Sequence, residues 1–226
     1  MKIISNEKLI NRNKKITQYL TFGSLGILGI GLVVSFQEAY MIWSLPALIV
    51  GFILSQIGIF MTSKWGRSPR PDESISMALK GLDNKFTLFH HETVVSHLLV
   101  GPAGLWIFLP YYQAGTISYD ESKKRWKQKG GNWYLKIFAQ ENLGRPDLEV
   151  QSVNKDITKF LSKHLNEDIP EIHIALVFTN EEVVLESENA PIPTLHAKKL
   201  KDFIRKKSKE NLLSAEETAK LVELFS

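Results

Sequence analysis

Two long stretches of this chain carry no charged residue at all, Ile16 to Gln37 and Ala39 to Ser63. Each exceeds the roughly 20 residues that an α-helix needs to cross about 30 Å of hydrocarbon, so both read as transmembrane helices. Only Glu38 separates them, which makes the pair a helical hairpin with that residue at its tip. A cleaved signal peptide, the competing reading of the first run, has an apolar core of only about 7 to 15 residues. This run is longer, and a second span follows it at once.

Flanking charge sets the expected direction. Lys2, Lys8, Arg12, Lys14 and Lys15 precede the first span, and Lys64, Arg67 and Arg70 follow the second. Cations collect on the cytoplasmic side of spanning helices. The expectation is a multi-pass protein of the cell membrane, with its N-terminus and its C-terminal domain cytoplasmic. Its parts would be a basic tail over residues 1–15, two spans over 16–63 (16–37 and 39–63), a linker over 64–71 and a domain over 72–226. Trp65 and the cations of the linker suit the headgroup layer, and Pro69 and Pro71 stop the second helix there.

Charge also argues against a dedicated nucleic-acid enzyme. The net charge is +4, but residues 1–15 hold five cations against one acid, while from Lys64 onward there are 23 cations and 22 acids. The basic excess therefore belongs mainly to membrane topology. Cysteine is absent, which removes disulfides, thiolate metal ligands and cysteine nucleophiles. Within the spans, Gly23, Gly26 and Gly29 and then Gly51, Ser55 and Gly58 recur at helical spacing, and small side chains let helices approach closely in lipid. They serve either to pack the two spans on each other or to join neighbouring hairpins into a homo-oligomer.

Beyond the linker the pattern changes from long apolar runs to short alternating ones. Pro71, Asp72 and Glu73 open a helix that reaches about Gly81, with Ile75, Leu79 and Leu82 inward. Strands are expected over 86–90, 94–100, 105–109 and 116–119, then an amphipathic helix over 147–165 with Val150, Val153, Ile157, Phe160 and Leu161 on one face. A buried strand over 172–178, a short partner over 183–185, a helix over 194–207 and a last helix opened by the Ser214/Glu217 capping box complete the chain. The fold class is an N-terminal transmembrane hairpin followed by an α/β (α+β) domain with a mixed central sheet.

One segment of that domain carries a family likeness. His97, the Gly101-Pro102-Ala103-Gly104 turn, Gly115 and Ile117 fall at the spacing of the nuclease-related (NERD) domain, which the segment Ser96 to Ile117 resembles. That resemblance implies a restriction-endonuclease-like fold over about Asp72 to Arg205, with Arg145-Pro146 standing where the family often has Asn-Pro before its long helix. It also implies a divalent-cation site made by an acid before the histidine, an E-x-K triplet on the next strand and a helix glutamate. Here those positions hold Ser96, Leu109, Tyr111 and Glu73. Magnesium requires hard oxygen ligands, and a hydroxyl, a leucine, a phenol and one carboxylate do not supply them. The four are read as vestigial active-site positions, with no catalytic residue, metal or cofactor.

Other groups invite chemistry and are weighed against plainer roles. Asp83, Glu92, Asp120, Glu121 and Lys123 lack the alternate-strand spacing that would rebuild a metal site. Adjacent strand residues point to opposite faces, so His90 and His91 would not chelate together, and with His97 they are read as ordinary hydrogen-bonding histidines. Tyr112, Gln113 and Trp126 could line the old cleft. Lys123, Lys124, Arg125, Lys127 and Lys129 surround Trp126, ahead of Trp133 and Tyr134. This is a candidate contact patch for nucleic acid or for anionic lipid, or a solvated hairpin. A second cluster, Lys198, Lys199, Lys201, Arg205, Lys206, Lys207 and Lys209, has the same three readings. The expected function is a membrane-anchored, catalytically inactive nuclease-related domain acting as a binding or interaction module, with the bilayer and an unknown protein as partners. The alternatives are a divalent-metal nuclease with relocated acids and a membrane-proximal scaffold without a ligand.

Overall fold

The computed structural model of the chain describes residues 1–131, 142–165 and 169–226. It divides into two compact units, one made of Glu7–Arg70 and the other of Met1–Asn6 together with Pro71–Ser226. The helical unit is thus inserted into the other one, after its first six residues.

The helical unit is α1 (Glu7–Val34), a 3-10 turn (Glu38–Tyr40), α2 (Met41–Met61) and a π turn (Thr62–Gly66). Both helices are long and apolar enough to cross a membrane, and only a small share of either is buried. Phe22, Leu25, Ile30, Ile42, Trp43 and Phe52 are among their exposed apolar side chains.

Their contact follows a seven-residue period. The buried residues of α1 are Ile10, Thr17, Ser24 and Gly31, and those of α2 are Ser44, Gly51 and Gly58. A seven-residue repeat keeps one narrow seam facing a partner helix. The seam is small because the backbones come close: a Cβ on Gly51 would stand 2.8 Å from the Leu28 side chain and 3.1 Å from its backbone nitrogen. The seam hydroxyls bond within their own helix, Thr17 to the Asn13 carbonyl at 2.8 Å and Ser44 to the Met41 carbonyl at 2.8 Å. Gly51 and Gly58 therefore pack the two helices on each other. Gly23, Gly26 and Gly29 have nothing within 4 Å and stand off this seam.

The other unit is an α+β domain around a six-stranded mixed sheet in the order β1-β2-β3-β4-β7-β9. Its strands are β1 (Lys2–Ser5), β2 (Thr87–His90), β3 (His97–Gly101), β4 (Gly104–Tyr111), β7 (Ile172–Phe178) and β9 (Thr194–His196). A smaller sheet has the order β6-β5-β8, from β5 (Gly115–Asp120), β6 (Arg125–Lys129) and β8 (Val183–Glu186). Helices α3 (Pro71–Ala78), α4 (Pro146–His164), α5 (Ala197–Ser208) and α6 (Ala215–Leu224) cover the larger sheet.

Strict alternation along β4 assigns the two faces. Leu105, Ile107, Leu109 and Tyr111 join Phe89, Leu98, Leu176 and Phe178 under Ile157 and Leu161 of α4 and Leu221 of α6. Trp106 and Phe108 join Leu88, Leu99 and Val177 under Ile75 of α3, Leu79 just after that helix, and Leu200 and Ile204 of α5. Two glycines mark the turns that β4 and β5 need. Gly104 has φ +99°, and Gly115 has φ +90° with a would-be Cβ 2.5 Å from the Lys129 carbonyl oxygen. Both demands are met without cost only by glycine.

Several elements differ from the sequence expectation, among them the strand expected over 94–100, which starts only at His97, and Arg125–Lys129, which form an additional strand. Residues 1–15 are not a tail: Lys2–Ser5 form β1, which pairs in parallel with Thr87–His90, and α1 begins at Glu7. The expected linker over 64–71 shrinks, since the π turn continues α2 to Gly66 and α3 starts at Pro71. Residues Thr194–His196, expected to open a helix, form β9 beside β7, and α5 begins at Ala197. The His196 side chain caps α5 by accepting from Lys198 N. The capping box at Ser214 and Glu217 is present as expected.

The seam makes a differential prediction. Gly51→Leu should destabilise the helical hairpin by about 1 to 3 kcal/mol through overpacking, while Gly26→Leu should change it by less than about 0.5 kcal/mol. Denaturant titration of the full chain in micelles, read on the helical signal, measures both.

Candidate functional site

The parallel strands β1, β2, β4 and β7 all end on one side of the sheet, at Ser5, His90, Tyr111 and Phe178, and the antiparallel β3 begins there at His97. Ser96, Leu109 and Tyr111 lie at this end. It is also where the chain leaves the domain, since Asn6 N donates to the His90 carbonyl at 3.0 Å. The chain returns with α3, whose Ser76 lies beside His90.

Leu109 and Tyr111 are closed into the core, each 7% exposed. Tyr111 stacks on Phe178 with ring centroids 5.3 Å apart, and its hydroxyl donates to Glu149 Oε2 of α4 at 2.5 Å. Burial, then the Glu149 charge and hydrogen bond, then Asp147, hold the phenol proton well beyond the ordinary tyrosine range. Where the resembled family has a cation, this chain keeps a neutral group. Ser96 is exposed and offers its backbone carbonyl to His91 N at 2.9 Å. Glu73 sits on α3, the helix that covers the face opposite Leu109 and Tyr111. Glu73 therefore lies on a helix across the sheet from Leu109 and Tyr111.

The expected cleft lining is also dispersed. Trp126 is 8% exposed and packs edge-on to Tyr119 at 5.3 Å, so it presents no open face for stacking. Tyr112 is exposed, and its carbonyl accepts from Asn180 Nδ2 at 3.1 Å. Gln113 donates to the Asn142 carbonyl at 3.2 Å and so ties the end of β4 to the segment before α4.

The basic patch is real as a surface feature. Lys123, Lys124, Arg125, Lys127 and Lys129 are all exposed along one β5–β6 hairpin. Asp120 organises its turn: it accepts from Ser122 Oγ at 2.6 Å, from Lys123 N at 3.1 Å and from Lys127 Nζ at 2.6 Å. The Lys127 and Ser122 bonds hold the Asp120 carboxyl well below its usual range. Lys127 is thus partly neutralised. In the second cluster Lys198 pairs with Glu181 at 2.7 Å and Lys207 with Glu210 at 2.9 Å. Trp133 and Tyr134 lie outside the described residues.

The three histidines do not form a metal centre. Among the described residues no group of three or more His, Asp or Glu is arranged to hold a metal ion. Instead His90 and His97, cross-strand partners of β2 and β3, place their Nδ1 atoms 2.9 Å apart inside the domain. His91 turns out of the strand with φ +59°, and its ring lies 5.1 Å from that of His97. A cavity of about 520 Å³ lined by Gly104, Leu165, His173, Leu212, Lys220 and Leu221, among others, lies at the opposite end of β4, away from the vestigial positions.

The chain matches no family model, no curated protein and no solved structure.

The Tyr111 phenol yields a pH prediction. Its folded pKa lies above the unfolded value of about 10, so its stabilisation is full below that pH and declines as pH rises further. Above about pH 10 the wild-type domain should lose up to about 1.4 kcal/mol per pH unit on this account. Tyr111→Phe should lower stability near neutral pH by about 1 kcal/mol and remove this alkaline slope, as read by denaturant unfolding across the range.

Proposed function

We propose that this chain is a membrane-anchored domain of the nuclease-related, restriction-endonuclease-like kind that does not cut and that acts as a binding or interaction module. The observation that carries this reading is the burial of Leu109 and Tyr111. A two-carboxylate and lysine centre must reach a hydrated metal and a phosphodiester, and these positions instead complete the core, with the phenol engaged by Glu149.

The anchor is read from the two helices. Residues 16–34 of α1 and α2 rise about 28 and 31 Å at 1.5 Å per residue, which matches the hydrocarbon thickness. Lys8, Arg12, Lys14 and Lys15 lie in the first turns of α1, and Lys64, Arg67 and Arg70 follow α2. This charge supports a multi-pass protein with the α+β domain in the cytoplasm. The exposed cations of the β5–β6 hairpin lie outside the packed core and are the surface open to a partner.

The full chain in micelles, given Mg²⁺ or Mn²⁺ and single- or double-stranded DNA or RNA, should show no cleavage above a no-protein control. Chelator-sensitive cleavage that Glu73→Gln abolishes would overturn the proposal in favour of relocated acids. Crosslinking in native membranes separates a module from a scaffold: discrete adducts lost on Lys123→Glu/Lys124→Glu/Arg125→Glu support the module, and their absence supports the scaffold.

A further inference from the structure

The smaller sheet has one packed face and one open face. Trp126 of β6, Ile117 and Tyr119 of β5, and Val183 and Leu185 of β8 belong to the core that α4 covers. Alternation turns their neighbours the other way. The register then sets Arg125, Lys127 and Lys129 of β6 beside Asp120, Ser118 and Thr116 of β5. Ser118 and Thr116 in turn lie beside Glu186 and Val184 of β8. The three β6 cations, Val184 and Glu186 are exposed. This face therefore carries a row of cations along one edge and hydroxyls down its middle.

It belongs to one particular end of the domain. β4 and β7 finish at Tyr111 and Phe178, and β5 and β8 begin a few residues later, at Gly115 and Val183. The chain leaves for α1 and returns through α3 at that same end, where Asn6 N donates to the His90 carbonyl and Ser76 lies beside His90. Both joints are short, since α1 begins at Glu7 and only residues 67–70 separate the π turn from α3. The smaller sheet thus sits at the tethered end of the domain.

The charge on this face and its turn is positive but not uniform. Asp120 is engaged by Lys127 at 2.6 Å, Glu121 sits in the turn, and Glu186 lies on β8. Asp147 of α4 interacts with Arg125 across the start of β6. Lys123, Lys124 and Lys129 add to the cations of the hairpin. The rings of the sheet, Trp126 and Tyr119, meet each other at 5.3 Å on the packed face. The open face offers cations and hydroxyls and no aromatic platform. Single-stranded nucleic acid is gripped largely by bases stacking on exposed rings. An anionic bilayer needs only positive charge at its surface, each cation strengthening binding by about fivefold. Tethering raises the effective concentration, so a few cations suffice.

We propose that the open face of the β6-β5-β8 sheet is a docking face for the anionic phospholipid headgroups of the bilayer that α1 and α2 enter. It rests on the reading of those helices as membrane spans. The chain has no cysteine, so one environment-sensitive dye can be placed at Ser118→Cys in the middle of the face, or at the exposed Lys163→Cys of α4 as a control. The full chain is reconstituted into phosphatidylcholine vesicles, with or without phosphatidylserine, that carry a headgroup-linked quencher. Quenching at Ser118→Cys should rise about threefold or more with phosphatidylserine, and quenching at Lys163→Cys should not change. The rise should be lost when salt goes from about 0.1 to about 1 M and the screening length shrinks from about 10 to about 3 Å. Arg125→Gln/Lys129→Gln should remove most of it, whereas Lys206→Gln/Lys209→Gln, with the same loss of charge elsewhere, should leave it. Flotation with phosphatidylcholine vesicles reads the anchor separately. A chain that floats without phosphatidylserine-dependent quenching overturns the docking face and leaves the spans standing; a chain that does not float overturns both. An equal loss in the two double variants would also overturn it. So would a Ser118→Cys signal that answers to a short oligonucleotide and not to phosphatidylserine, in favour of nucleic acid.

Discussion

The parallel pairing of β1 with β2 is the contact on which the arrangement of this molecule depends. It joins Lys2, Ile3, Ile4 and Ser5 to Thr87, Leu88, Phe89 and His90, across the whole inserted helical hairpin. A four-residue edge strand adds little to stability by itself. Its importance is topological, since a chain that starts in the sheet, leaves through α1 and returns through α3 must have both ends of its hairpin at one domain.

The same constraint gives this end of the sheet its character. Here it holds the two crossings, a buried histidine pair and a tyrosine tied to α4. Apolar Leu109 and aromatic Tyr111 complete a core that carboxylate and ammonium groups would leave hydrated. Gly104 and Gly115 shape the turns of β4 and β5 by answering backbone demands that only glycine meets freely.

Much of this fold is legible in the residues, and the failures share a cause. The apolar runs, the alternation of β4, the amphipathic α4 and the capping box at Ser214 are local patterns, and each appears where expected. β1 and β9 were missed because they are four and three residues long and take their structure from partners far away in the chain. Which small residues of α1 meet α2 was left open for a related reason. Gly23, Gly26 and Gly29 look like a packing face, but the partner helix meets Thr17, Ser24 and Gly31 instead, and the choice between faces depends on where the hairpin turns. At the site, the residue types at Ser96, Leu109 and Tyr111 were readable, but the separation of Glu73 from Leu109 and Tyr111 was not, because it follows from which helix covers which face. The histidine pair needed the β2–β3 register before its two rings could be placed together.

The absence of cysteine from the chain makes the threading directly measurable. Single-cysteine variants at Gln37, near the hairpin tip, and at Lys123, on the domain, can be exposed to a membrane-impermeant maleimide in sealed right-side-out vesicles. A hairpin inserted between β1 and α3 with a cytoplasmic domain predicts labelling of Gln37→Cys in intact vesicles and of Lys123→Cys only after permeabilisation. Labelling of both positions from the same side would contradict it.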